Sequence, residues 1–202
     1  MQTSQSHSIS HCRDTKPGST AFATFRSSAL AAVLAVLAFH LSMVSTSAPL
    51  YFEEEHAVDR AIELLRVRGF ETEAFLLEHT TTFRRSDNWL NRLAREENAF
   101  AATNAPFQII TLYPDFFTRA SDDTERAMIL LHEARHLLAE DEASAYAYVW
   151  QNRSRLGWTQ LTHGTTETYV TIEQLTRENA PELFNCSSKL WNDCTETLRA
   201  RR

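Results

Sequence analysis

The spacing of apolar positions along the chain predicts mostly helix. Between residues 56 and 68, Val58, Ile62, Leu65 and Val67 recur with charged residues between them and Gly69 follows as a natural stop, which describes an amphipathic helix. Residues 70–78 continue as a second helix, residues 80–83 read as a short strand or a turn, and Ser86-Asp87-Asn88 caps a helix expected to run to about Asn98. Residues 99–106 show no period and read as a linker. Residues 107–113 form the best strand in the chain, rich in β-branched and aromatic side chains and closed by Pro114. Residues 114–119 connect it to the next helix, for which Ser121 is the expected N-cap, with Asp122, Asp123 and Glu125 at the positive end of the dipole. Residues 127–139 of that helix are apolar nearly all round, which places it in the core. Further helices are expected from Glu142 to Leu156, stopped by Gly157, and over 165–178, ahead of Pro181. The expected fold is α+β, mainly α, with a small sheet packed on the buried helix.

The first 48 residues follow a different pattern. A polar stretch carrying Arg13, Lys16 and Arg26 precedes the apolar run 29–44, and the small residues Ser45-Thr46-Ser47-Ala48 come next. Positive charge, an apolar stretch and a small-residue exit describe a secretory signal; an uncleaved membrane anchor through residues 29–44 is the alternative. Either way residues 49–202 form the functional domain, exported to the periplasm or the extracellular space, or anchored with the domain outside the cytoplasm. Cysteine usage agrees. Cys186 and Cys194 are an even pair outside the leader, eight positions apart, and read as a disulfide in an oxidising compartment.

Charge narrows the partners. The first 48 residues hold three of the 20 basic residues and one of the 26 acids, so the remaining 154 carry a formal −8. An acidic domain with no basic stripe argues against nucleic acid.

The chemistry is concentrated at His132-Glu133-Ala134-Arg135-His136, an HExxH motif inside the buried helix. Random placement of 8 His and 18 Glu in 202 positions would produce about 0.03 such matches. Histidines at i and i+4 lie about 40° apart around a helix and about 6 Å apart along it, so their imidazoles can converge on one Zn²⁺. Glu133, about 100° further round from His132, reaches a zinc-bound water rather than the metal and is the expected general base. A catalytic zinc needs a third protein ligand. On a straight helix Glu140 would lie about 12 Å along the axis from His132, and Glu142 would point about 100° away from the pair. The chain must therefore turn after Leu138, with Asp141 capping the next helix and Glu142 swinging back to the metal. Glu142 is the expected third ligand, with Glu140 and Asp141 as alternatives.

With these residues the sequence resembles the zincin superfamily of metallopeptidases, specifically over residues 121–150. Glu142-Ala143 is similar to the third-ligand site of the gluzincins, whereas the spacing of six from His136 to Glu142 is similar to that of the metzincins. Metzincins carry His at that position, Gly where Ala139 stands, and a Met-turn, yet the last Met here is Met128. The resemblance implies zinc-dependent hydrolysis of a peptide or protein substrate in a cleft walled by an edge strand, for which residues 107–113 are the candidate. It also implies an oxyanion-stabilising group, for which His163 and Tyr146 are candidates. The alternative is an envelope protein that uses the same fold to bind zinc without catalysis.

Overall fold

The computed structural model describes residues 19–94, 100–187 and 192–195. Cys12, Arg13, Lys16 and the end of the helix expected to reach Asn98 lie outside them. The chain divides into two compact units, residues 1–41 and 42–202.

In the first unit the described residues belong to helix α1, Ser19–Ser45. Leu30, Leu34, Leu37 and Leu41 are all more than half exposed. The window Ser28–Ser45 is long and apolar enough to cross a membrane.

The second unit is mainly helical with a three-stranded mixed sheet, the α+β class expected. Helices α2 (Phe52–Val67) and α3 (Glu71–His79) come first, separated by Gly69 at φ +83°, a left-handed position suited to glycine. Strand β1 is Thr82–Arg84, and α4 is Trp89–Ala94, started by Asn88, whose side-chain oxygen accepts from the N–H groups of Leu90 and Asn91. Strand β2 is Ala101–Asn104 and β3 is Ile109–Leu112. Helices α5 (Pro114–Thr118), α6 (Asp123–Leu137), α7 (Glu142–Leu156), α8 (Gln160–His163) and α9 (Glu167–Asn179) complete the domain.

Two expectations about the sheet change. The strand order is β1-β3-β2, with β3 parallel to β1 and antiparallel to β2. The strand expected over 107–113 is therefore central, not an edge. All four of its residues are buried, as they must be with both faces covered. The edges are β1 and β2, and β2 is built from the stretch read as a linker. It lacks β-branched alternation and becomes a strand through its register with β3, where Ala101 faces Leu112 and Asn104 faces Ile109.

Helix α6 lies in the middle of the domain, against α2, α3, α7 and β2. Its N-cap is Asp122 rather than Ser121: the Asp122 side chain accepts from Glu125 N–H at 3.0 Å. The Ser121 N–H is taken by the buried Glu125 carboxylate at 2.7 Å, so Glu125 fixes the approach to the helix. Below α6 the core is aromatic, with Trp158 and Tyr169 rings 4.6 Å apart and Trp150 against both. Cys186 and Cys194 are disulfide-bonded. The Arg153–Asp193 ion pair, nearly fully buried at 2.6 Å, ties that segment to α7, and Trp150 Nε1 also donates to Asp193 at 2.9 Å.

Candidate metal centre

The chain turns where the helix geometry demands it. Helix α6 ends at Leu137, Leu138 caps it, and Ala139 adopts φ +62°. Asp141 then caps α7, accepting from Ser144 N–H at 2.9 Å, and Glu142 is the first residue of that helix. This right-about brings three donors together. The Nε2 atoms of His132 and His136 are 3.0 Å apart, and each lies 3.3 Å from a carboxylate oxygen of Glu142. Ligand bonds of 2.0–2.1 Å to a tetrahedral ion imply donor–donor edges of about 3.4 Å, and one donor atom from each of the three residues lies within 4.8 Å of the other two, close enough to share one ion.

The electrostatics of the triad are mutual. Hydrogen bonds with His132 and then His136 hold the Glu142 carboxyl well below the usual carboxylate range, against the opposing effect of burial. Burial also disfavours the charged form of His136, but the hydrogen bonds to Glu142 and to the Glu140 carbonyl, with the nearby Glu133, raise its pKa to about 9. His136 Nδ1–H donates to the Glu140 backbone carbonyl at 3.0 Å, which fixes the ring with Nε2 turned towards His132 and Glu142. His132 differs: its Nδ1 is buried with no hydrogen-bond partner among the described residues, and the Tyr146 ring lies 4.3 Å from its own.

The two alternative ligands are engaged elsewhere. Glu140 is paired with Arg135, whose Nε donates to it at 2.8 Å and whose terminal nitrogen also bonds it. Arg135 further donates to the buried Glu73 at 2.8 Å and lies over the Tyr148 ring, and Tyr148 donates to Glu73 as well. The variable position inside the motif thus anchors α6 to α3 and α7. Asp141 is spent on its cap.

Glu133 is 5 % exposed and shares with the triad a cleft of about 650 Å³. The Thr103 hydroxyl, on the edge strand β2, donates to Glu133 at 2.6 Å. Residues Phe100 to Thr103 form one wall, and Met128, Ile129, Val149, Ile172 and Leu175 supply an apolar remainder. His163 is not part of it. It is buried near the opposite end of α6, its Nε2 3.0 Å from the capping Asp122. Tyr146 does line the cleft. Cys186 and Cys194 do not. Sequence reasoning missed Thr103, because its segment showed no strand period. It also missed the Glu140 carbonyl, because a backbone group has no residue signature.

No protein-family model, curated protein or solved structure matches this chain. The functional reading therefore stands on the site itself.

Proposed function

We propose that the domain is a zinc-dependent metallopeptidase acting outside the cytoplasm. The observation that carries this reading is the convergence of His132, His136 and Glu142 at metal-ligand spacing beside Glu133 in one cleft. A two-nitrogen, one-carboxylate set is the donor chemistry of catalytic zinc sites, and three protein donors leave one position for water or substrate. The exposed glutamate is folded back onto two half-buried imidazoles, which puts a carboxylate oxygen and two ring nitrogens on one side of the cleft. Bound zinc supplies an acidified water and polarises the substrate carbonyl. The chain supplies the rest. His132, His136 and Glu142 hold the ion, with His136 oriented by the Glu140 carbonyl. Glu133 takes the proton from the attacking water and returns it to the leaving amine, its carboxylate held by Thr103. The free edge of β2 offers unpaired backbone groups to an extended peptide. Arg13, Lys16 and Arg26 ahead of the apolar run favour the orientation with the domain on the far side of the membrane.

The test is peptide hydrolysis by the metal-loaded protein and by Glu133→Gln. The variant is expected to keep stoichiometric zinc and to lose turnover by at least about a hundredfold. Zinc bound by the wild type with no hydrolysis of a diverse peptide library would point instead to a binding module. A wild type that takes up no metal would overturn the reading.

A further inference from the structure

The expected domain boundary lies after Ala48, yet the compact second unit begins at Ser42. Residues 42–48 are built into it. Met43 is fully buried and Ser47 is 7 % exposed. The segment ends a helix, and the last carbonyls of a helix need donors from elsewhere. Arg84, at the end of β1, supplies them: its guanidinium donates to Val44 O at 2.8 Å, to Ser47 O, and to Ser47 Oγ at 2.9 Å. Among the described residues these are all the hydrogen bonds that guanidinium makes. Burial depresses the Arg84 pKa, and the negative end of the helix dipole is the charge it faces. Neighbouring residues complete the clamp. Trp89 Nε1 donates to Ser42 Oγ at 3.1 Å, Arg92 to Thr46 O at 3.4 Å, Ser86 Oγ accepts from Ala48 N–H at 2.8 Å, and Arg85 N–H donates to Ala48 O at 2.9 Å.

A leader that is removed has no need of such a socket. Cleavage within 45–48 would strip a buried methionine from the domain and leave the partly buried Arg84 without its acceptors. The apolar run ends at Val44, inside the clamped segment. We propose that the apolar segment is a retained anchor whose last turn is a structural part of the folded domain, so that the domain is held at a lipid bilayer by a clamped connection. This inference is independent of the metal.

The experiment expresses the full chain with a C-terminal tag in a host with a secretory pathway, then determines the N-terminus and intact mass of the recovered protein. The expected product retains residues 42–48 and the apolar run, and stays with the membrane after an alkaline wash. A soluble product beginning between Ser45 and Tyr51 would overturn the proposal. The clamp is read separately by elastase digestion of the detergent-solubilised full chain. Arg84→Ala should speed cleavage within 42–48 by about tenfold while zinc content is unchanged. If that variant does not fold, Trp89→Phe, which removes only the indole donor to Ser42, should give a smaller increase in the same direction. Wild-type cleavage rates in the folded variants would refute the clamp.

Discussion

Glu140 and Glu142 stand two residues apart and do different work. The Glu140 carboxylate is held by Arg135, and only its backbone carbonyl serves the site, through His136 Nδ1. The Glu142 carboxylate closes the triad. Replacing either by alanine leaves the main chain intact, so the two variants separate side-chain ligation from backbone support. Glu142→Ala should weaken zinc binding by more than about a hundredfold, beyond the effect of losing an outer hydrogen bond. Glu140→Ala should leave zinc affinity nearly unchanged and cost at most about 1 kcal/mol of stability, because its ion pair is partly solvated. Competition with a chromophoric chelator measures both. A metal-replete Glu142→Ala beside a metal-poor Glu140→Ala would transfer the ligand role to Glu140.

Helices α6 and α7 carry the site, and the turn between them sets its geometry. That turn depends on Ala139 in a left-handed conformation, which costs a residue with a Cβ about 1–2 kcal/mol. Ala139→Gly should therefore fold with unchanged or slightly raised stability and keep its metal, whereas Ala139→Val should lose about 1–3 kcal/mol and bind zinc more weakly. Denaturant titration with metal analysis distinguishes the two. The other end of α6 depends on Asp122. Burial works against its charged form, but the hydrogen bonds from His163 and the Glu125 N–H outweigh it and place its pKa below the ordinary 3.8. A depressed carboxylate contributes stability above its unfolded pKa and loses it as pH falls through the folded value. Asp122→Asn keeps a good N-cap and removes the charge. The variant should melt below wild type near neutral pH, and the gap should close below about pH 4. The side chain is about half exposed, so the gap is small. A gap that does not narrow at all as pH is lowered from about 5 towards 2 would show that the carboxylate's charge is not its source.

In the whole molecule an ion in the triad would bridge α6 and α7, and binding only to the folded state stabilises it by mass action. At a free zinc concentration a hundredfold above Kd the gain is about 2.7 kcal/mol, which for a domain of this size raises Tm by roughly 5–10 °C. A chelator should reverse the shift, and the His132→Ala variant should show none. A melting temperature insensitive to zinc and chelator would mean that the triad holds no ion. The disulfide and the buried Arg153–Asp193 pair secure the far end of α7, so heat should open the turn side of the site first.

What local sequence determined was considerable, because it depends on neighbours within a turn or two. The i, i+4 histidines, the forced turn after Leu138, Asp141 as cap, Glu142 as first residue of α7 and Gly157 as its stop all follow from helix periodicity and capping chemistry. The mainly helical α+β class follows in the same way. The run Ile109-Ile110-Thr111-Leu112 even carried a mark of its central place, since its apolar residues do not alternate with charged ones and only Thr111 among them is polar. Only the tertiary structure decided the features set by distant partners. Ala101–Asn104 is a strand because β3 pairs with it, and Thr103 reaches Glu133 because that pairing forms one wall of the cleft. Residues 42–48 belong to the domain because Arg84 and Trp89 bind them from about 40 positions away. Hydrogen-bond donors that close such gaps are ordinary residue types with no local period, so their role exists only once the chain is folded.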